Sequence, residues 1–504
     1  MLFFALAMAG GSLWLVTPED FWWQLKIGDL IRQTGTIPQN GIFSATQANT
    51  PFFYQSWLAE VVFSWLYQLG DLVANLQLRN LLLISSYGLL LWHCLRRVKG
   101  NSRAALLGIL FSVIVAFDSW QVRPQMFAWL LFAATFVIIS EVATERWSIK
   151  ALSALPLIEI LWVNLHSSFT LGPLLVGIAA LGAMLDRRRD HPDAPIYPTM
   201  RALWIASGVM LATSLINPRG WGVWVEGWSM LTALFSPAVL SEQASPLTTL
   251  SNPVSQLMLA VLLVAVVTLL VIWQKMRSAD LLIISVLALL TLTGAHYQIW
   301  FGMVAGPIIA EALVRRGRLK LIKRNPAAPK AVAVLAIACA VIGLLVQPII
   351  RIWLPLPEAL NGATGNLTHA ELASGSTPIQ AVEFLQANQP NQAYFNDMGY
   401  GSYLIWKAGE QLPVFIDPRV ELYPREQWNE YSCIMAGKDW ERLLAKYSLD
   451  TILIDRELGN DLVRAVQTNP AWQELYADQQ SLIFKRTAQA AQASNQPVSC
   501  PATN

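Results

Sequence analysis

Eleven apolar stretches, most of them close to the length of a bilayer crossing, dominate the sequence at 2–16, 78–95, 104–117, 126–142, 151–165, 169–185, 202–216, 256–273, 281–295, 299–314 and 331–350. A spanning helix needs about 20 mainly apolar residues, and helices satisfy all their backbone polar groups internally. The expected fold is therefore an α-helical multi-pass membrane bundle of about 11 spanning helices. Charge is scarce enough to permit it. Asp, Glu, Lys and Arg make up 13% of the 504 residues, about half the share found in a soluble domain. The opening stretch, 2–16, is short and lacks the basic flank of a cleaved signal, so it reads as an uncleaved first helix.

The loops between these stretches differ in charge. One set holds nineteen Lys and Arg up to residue 350, clustered at 96–103, 187–189 and 315–324, while the other holds five: Lys26, Arg32, Arg79, Arg123 and Arg219. The richer side is cytoplasmic by the positive-inside rule. That places the amino terminus inside and the carboxy-terminal part outside. The inner loops show basic residues with no acidic and aromatic counterpart. A net charge of +2 gives no global support for a nucleic-acid partner. Cys94, Cys339, Cys433 and Cys500 have no Cys-x-x-Cys spacing, so neither a zinc site nor a disulfide framework is indicated, and a Cys433 to Cys500 bridge stays open.

Hydropathy changes after residue 350. Positions 351–377 contain Pro355, Pro357, Gly362, Gly365 and Gly375 and read as a linker. From 378 to 486 the pattern is that of a soluble α/β domain: helix at 379–388, strand at 393–396, a helix start at 402–407, strand at 413–416, helix at 440–447, and strands at 451–454 and 481–485. The tail 487–504 is rich in Ala, Gln, Ser and Pro, a composition expected to stay disordered. The transmembrane part, 1–350, includes an outer loop and interfacial helix at 17–77, where 52–69 reads as an amphipathic helix lying on the membrane surface.

Function is sought at the outer rim. The run Pro18-Glu19-Asp20-Phe21-Trp22-Trp23-Gln24 follows the first stretch, and Gln55-Ser56-Trp57-Leu58-Ala59-Glu60 comes soon after. Carboxylates at the mouth of a membrane helix are costly to hold, which favours a functional reading over an aromatic belt with solvated acids. The outer helix ends also carry Asp118, Gln121, Arg123, Asn164, His166, Asn217, Arg219, His296 and Gln298. There is no Gly-rich phosphate loop with Lys, no Gly-x-Ser-x-Gly turn and no His-Glu-x-x-His pair. An outward carboxylate beside aromatic rings fits transfer of a group carried on a membrane lipid. Asp20 can take an acceptor proton or, with Asp118, hold a divalent metal such as Mg or Mn. Arg123 can steady a lipid phosphate.

These residues resemble the GT-C class of polyprenyl-phosphate-dependent glycosyltransferases, closest to a broad set of bacterial multi-pass proteins. The resemblance rests on Asp20-Phe21-Trp22-Trp23-Gln24-Leu25, Trp57-Leu58-Ala59-Glu60, Arg123-Pro124-Gln125, Trp162-Val163-Asn164-Leu165-His166 and Asn217-Pro218-Arg219-Gly220-Trp221. Phe395-Asn396-Asp397-Met398-Gly399-Tyr400-Gly401 looks like the turn that oligosaccharyltransferase catalytic subunits build around Trp-Trp-Asp-Tyr-Gly, and Val414-Phe415-Ile416-Asp417-Pro418-Arg419 follows it. The resemblance implies Asp20, with Glu19 beside it, as the essential catalytic carboxylate, a base or metal ligand. It implies substrate contacts from Trp22, Trp23, Gln24, Glu60, Arg123, Asn164, His166, Asn217, Arg219, Asp397, Tyr400, Asp417 and Arg419. The implied protein is a glycosyltransferase of the hexosyl or pentosyl class in a bacterial inner membrane. It would take sugar from a polyprenyl-phosphate donor to a glycan, lipid or protein acceptor. The sequence departs from the pattern at Gln24, where the family has His, and at Phe395-Asn396, where it has a tryptophan pair. A non-catalytic binder or transporter of lipid-linked glycans is the alternative.

Overall fold

The computed structural model describes residues 16–17, 19–116, 119–189, 191, 194–225, 245–247, 253–273, 276–315, 373, 375–388 and 394–487. Helices α1 (Asp20–Thr34), α2 (Trp57–Arg97), α3 (Ser102–Ala116), α4 (Gln125–Ala143), α5 (Leu155–Leu165), α6 (Leu171–Arg188), α7 (Tyr197–Thr213), α8 (Pro253–Ile272), α9 (Ser278–Thr293) and α10 (Gln298–Arg315) come first. Then follow α11 (Ile379–Asn388), β1 (Phe395–Asn396), α12 (Met398–Ala408), α13 (Arg425–Met435), α14 (Trp440–Lys446), β2 (Thr451–Asp455), α15 (Asn460–Gln467), β3 (Trp472–Ala477) and β4 (Ser481–Arg486). The expected helix at 331–350, nearly all of 2–16, Asp118, most of the linker and the tail beyond Thr487 lie outside the described residues.

Four helices among the described residues are long and apolar enough to cross a membrane: Trp57–Arg97, Gln125–Ala143, Ser167–Arg188 and Ala295–Arg315. Ser102–Ala116, Ser255–Thr268 and Ser278–Thr293 are apolar but shorter. The chain is a membrane protein, mostly helical, with a small sheet near its end. By contacts it forms two compact units, one of Met1–Trp14 and Leu76–Trp353, the other of Leu15–Asn75 and Leu354–Asn504.

In the first unit, α3 and α10 approach closely. A Cβ on Gly306 would lie 2.1 Å from the Gly108 carbonyl oxygen, so only glycine lets these backbones meet, as is usual where small residues line membrane helix contacts. Acids of this unit pair with its basic residues. Glu141 receives Arg146 Nε at 2.8 Å, Arg96 Nη2 at 3.0 Å and His93 Nδ1 at 2.9 Å. Arg97 bonds Asp280 Oδ2 through Nη2 and Glu311 Oε2 through Nε, both at 2.6 Å. Arg277 joins Asp280 at 3.0 Å and Arg315 joins Glu311 at 2.8 Å. The expectation of basic loops without an acidic and aromatic counterpart is thereby corrected. Arg277, Arg315 and Arg146 pair with acids close by in sequence, Arg96 and Arg97 with acids far along the chain, and Trp92 lies under Arg96.

The second unit is organised by a four-stranded sheet in the order β1-β2-β4-β3, with β1 parallel to β2 and the other pairs antiparallel. Val414 bridges both Tyr394 and Ser44, so the loop at 40–51 hooks onto the sheet's open side. The segment 413–416 contributes these isolated bridges where a strand was expected. Four elements were not foreseen: α1, in a segment expected to be loop, α13, α15 and β3. Strand β3 is mostly exposed beyond Trp472 and so lacks the alternation that marks a half-buried strand. Helix α13 is largely polar and buries Gln427, Trp428 and Ile434. The core joins Phe395, Phe415, Ile416, Ile452, Ile454, Leu482 and Phe484 from the sheet region to Trp428, Trp440 and Leu444. Cys433 is disulfide-bonded, its partner outside the described residues.

Candidate functional site

The second unit brings α1 together with the segments around 54, 402 and 419. Helix α1 begins with Asp20 in its first turn and ends at Gly35 (φ 70°), whose N–H returns to the Ile31 carbonyl at 2.8 Å. That left-handed position suits glycine. Helix α2 is broken at Gly70 (φ −164°, ψ 30°) and Asp71 (φ 54°, ψ −153°), so 57–69 is a separate helix ahead of the apolar stretch 78–95. Glu60 opens this first piece.

Asp20 is half-buried, and its Oδ1 accepts the Trp23 indole N–H at 3.3 Å. Glu19 precedes the helix without capping it through its side chain. The Trp23 backbone N–H, one of those left unpaired at a helix start, donates to Ser402 Oγ at 3.0 Å. Trp22 and Trp23, expected as a platform for sugar or lipid, lie in the packed interior. Trp22 meets Tyr403 edge-on at 5.1 Å and Trp406 at 4.9 Å between ring centroids. Gln24 is buried too, and neither its Oε1 nor either carboxylate oxygen of buried Glu60 has a hydrogen-bond partner among the described residues.

Arg419 and Asp417 form a fully buried fork. Nε reaches Oδ1 at 2.9 Å and Nη2 reaches Oδ2 at 2.7 Å. Tyr423 donates to Asp417 Oδ2 at 2.5 Å, and Arg419 Nη1 donates to the Tyr54 hydroxyl at 3.1 Å. The guanidinium lies 5.9 Å from the Trp23 ring centroid and 5.7 Å from that of Phe52, within reach of a cation–π attraction. Burial alone would lower the guanidinium pKa, but Asp417 outweighs it and holds Arg419 above its ordinary value. Burial pushes the Tyr54 hydroxyl up to about 12 despite Arg419. Sequence reasoning singled out Asp417 and Arg419 but missed Tyr54, Tyr423 and Ser402. The aromatic run Phe52-Phe53-Tyr54 was the only local signal.

Asp397 caps α12, its Oδ1 accepting the Gly399 N–H at 2.9 Å, as an acid after a strand is apt to do. Burial raises its carboxyl to about 6, against the pull of its backbone hydrogen bonds. Tyr400 donates to Asp455 Oδ2 at 3.0 Å and accepts from Ser481 at 3.2 Å, which ties α12 to the sheet.

The first unit gathers a separate group. Asn164 Nδ2 donates to the Ile160 and Ile216 carbonyls, both at 2.8 Å, and its Oδ1 accepts from Asn217 Nδ2 at 3.1 Å. Asn217 Oδ1 accepts the backbone N–H of exposed Arg219 at 2.9 Å. His166 Nδ1 pairs with Ser168 Oγ at 2.8 Å. Arg123 is half-buried just ahead of α4. A divalent cation takes several oxygen ligands, yet among the described residues no group of three or more His, Cys, Asp or Glu side chains could hold one. Asp118, expected beside Asp20 as a second ligand, lies outside the described residues.

No protein family and no curated protein matches the chain by sequence. Solved structures do match by shape. ArnT from Cupriavidus metallidurans, solved bound to undecaprenyl phosphate, aligns over 98% of this chain and 98% of its own at 13% identity and a TM-score of 0.51. Its apo form gives the same coverage and identity at 0.50. The archaeal oligosaccharyltransferase AglB from Archaeoglobus fulgidus, in complex with an inhibitory peptide and a dolichol-phosphate, covers 97% of this chain and 74% of its own at 12% identity and 0.43. At these identities the likeness concerns the fold, and the fold of this chain is GT-C-like.

Proposed function

We propose that the chain is an integral-membrane glycosyltransferase that moves a sugar from a polyprenyl-phosphate donor to an acceptor on the extracytoplasmic face. The observation that carries this reading is the first turn of α1. There a half-buried carboxylate, Asp20, is oriented by the Trp23 indole, whose own backbone is tied to Ser402. A fixed carboxylate beside solvent is what a general base needs. The acceptor hydroxyl gives its proton to Asp20 as its oxygen bonds the anomeric carbon. The bond from that carbon to the donor phosphate oxygen breaks, and polyprenyl phosphate leaves with the electron pair. In the first unit, taken by itself, Arg123 stays a candidate phosphate contact, since a guanidinium can offer paired hydrogen bonds.

The same proposal takes about 11 spanning helices, a cytoplasmic amino terminus and an outward carboxy-terminal part in a bacterial inner membrane. The charge bias between loops supports it, and so does the disulfide at Cys433, since such bonds persist in oxidising compartments. To test it, lipid co-purified with the protein is identified by mass spectrometry, and transfer of labelled sugar from a polyprenyl-phosphate donor is followed in proteoliposomes. Polyprenyl phosphate together with transfer supports the enzyme. Bound lipid-linked glycan without transfer would instead indicate the binder or transporter.

A further inference from the structure

Asp417 and Arg419 were expected to touch substrate, yet both are buried and every group around them is accounted for within the unit. Asp417 takes Nε and Nη2 of Arg419, the Tyr423 hydroxyl and the Arg419 backbone N–H at 2.9 Å. The remaining guanidinium nitrogen goes to Tyr54, whose hydroxyl in turn donates to the Asn40 carbonyl at 2.9 Å. The guanidinium carbon also lies over two rings, 5.7 Å from the centroid of Phe52 and 5.9 Å from that of Trp23. The other side of that connection is chemical: the Trp23 indole N–H holds Asp20.

We propose that Arg419 is a positioning residue that fixes the Trp23 ring and, through its indole N–H, the Asp20 carboxylate, with Asp417 and Tyr54 holding Arg419 in turn. The inference rests on the transferase reading of Asp20 and changes the role of Asp417 and Arg419 from substrate contact to support. Lysine cannot replace Arg419 here. It has no planar fork for two carboxylate oxygens and no plane to lay against an indole. A misplacement of about 1 Å at a reacting group can cost on the order of 100-fold in rate.

The test compares the full-length protein with Arg419→Lys and Tyr54→Phe in proteoliposomes. Tyr54→Phe removes one partner of Arg419 and leaves the buried ion pair intact, so it serves if Arg419→Lys does not fold. Transfer kinetics are measured alongside 19F spectra of 5-fluorotryptophan-labelled protein, with the Trp23 resonance assigned by its absence in Trp23→Phe. The expected result is a fall in kcat of roughly 10- to 100-fold for Arg419→Lys and a smaller one for Tyr54→Phe. KM for the donor stays unchanged, and the Trp23 resonance moves in both. A raised KM with kcat unchanged would mean direct substrate contact and overturn the proposal. So would a Trp23 resonance that stays in place, whereas one that moves while kcat holds would support the positioning and overturn the transferase reading of Asp20. The resonance reports on positioning even if Asp20 proves dispensable for transfer, so failure of the transferase reading is seen separately.

Discussion

Gly28 of α1 lies directly against the backbone of Glu60: a Cβ built on Gly28 would stand 1.8 Å from the Glu60 carbonyl oxygen. No side chain fits there without moving one helix. The contact fixes how α1 sits on the start of α2, and α1 carries Asp20. We expect Gly28→Ala to destabilise the protein by about 1–3 kcal/mol or more, the usual range for overpacking a filled interior. Thermal unfolding in detergent measures it. An unchanged midpoint would show that the helices are not in this contact.

Asp397 makes the second unit sensitive to pH. Burial raises its carboxyl from 3.8 to about 6 in the folded protein. Between pH 4 and 6 the unfolded chain has lost this proton while the folded chain keeps it, so the contribution to stability falls as pH rises through that window. The slope is at most about 1.4 kcal/mol per pH unit. Asparagine caps a helix as well as aspartate and does not titrate. Asp397→Asn should therefore gain stability relative to the parent as pH goes from 4 to 6 and hold the gain above it. Unfolding midpoints of both proteins across that range would show it, and a constant difference would contradict it.

Arg97 joins helices far apart in sequence, bonding Asp280 and Glu311 from a buried position. Removing one partner of a buried ion pair strands the other charge at a cost of about 3–5 kcal/mol. Arg97→Gln takes one partner from each of two buried acids, which keep Arg277 and Arg315. We expect a loss of thermal stability in detergent larger than that of Arg96→Gln, because Arg97 is buried and serves two acids whereas Arg96 is partly exposed and serves one. Equal effects of the two substitutions would argue against the buried network.

Much of this architecture was legible because lipid imposes a simple code. Apolar stretches of spanning length and a lopsided distribution of Lys and Arg suffice to suggest a membrane bundle, and the run at Asp20 is visible because acids rarely precede paired tryptophans. The cap at Asp397 follows from an acid at the end of a strand. What could not be read are pairings set by tertiary structure. Arg97 finds Asp280 across 183 residues, and Arg419 finds Tyr54 across 365; no local pattern announces either. The interior position of Trp22 and Trp23 was hidden for the same reason. An aromatic pair next to a membrane helix looks alike in sequence whether it faces headgroups or packs on Tyr403 and Trp406. Strand β3 escaped because its exposed edge leaves no alternation to detect.

The central claim is that Asp20 accepts the proton of the attacking hydroxyl. Asparagine at this position keeps an oxygen for the Trp23 indole but cannot take a proton, so the fold should survive while the chemistry does not. The direct measurement is the rate of labelled-sugar transfer by Asp20→Asn in proteoliposomes, with donor-lipid binding and thermal unfolding recorded on the same preparation. General-base catalysis contributes about 100- to 10,000-fold, and we expect a loss of that order with binding and stability preserved. Transfer at the parent rate by the folded variant would contradict the account.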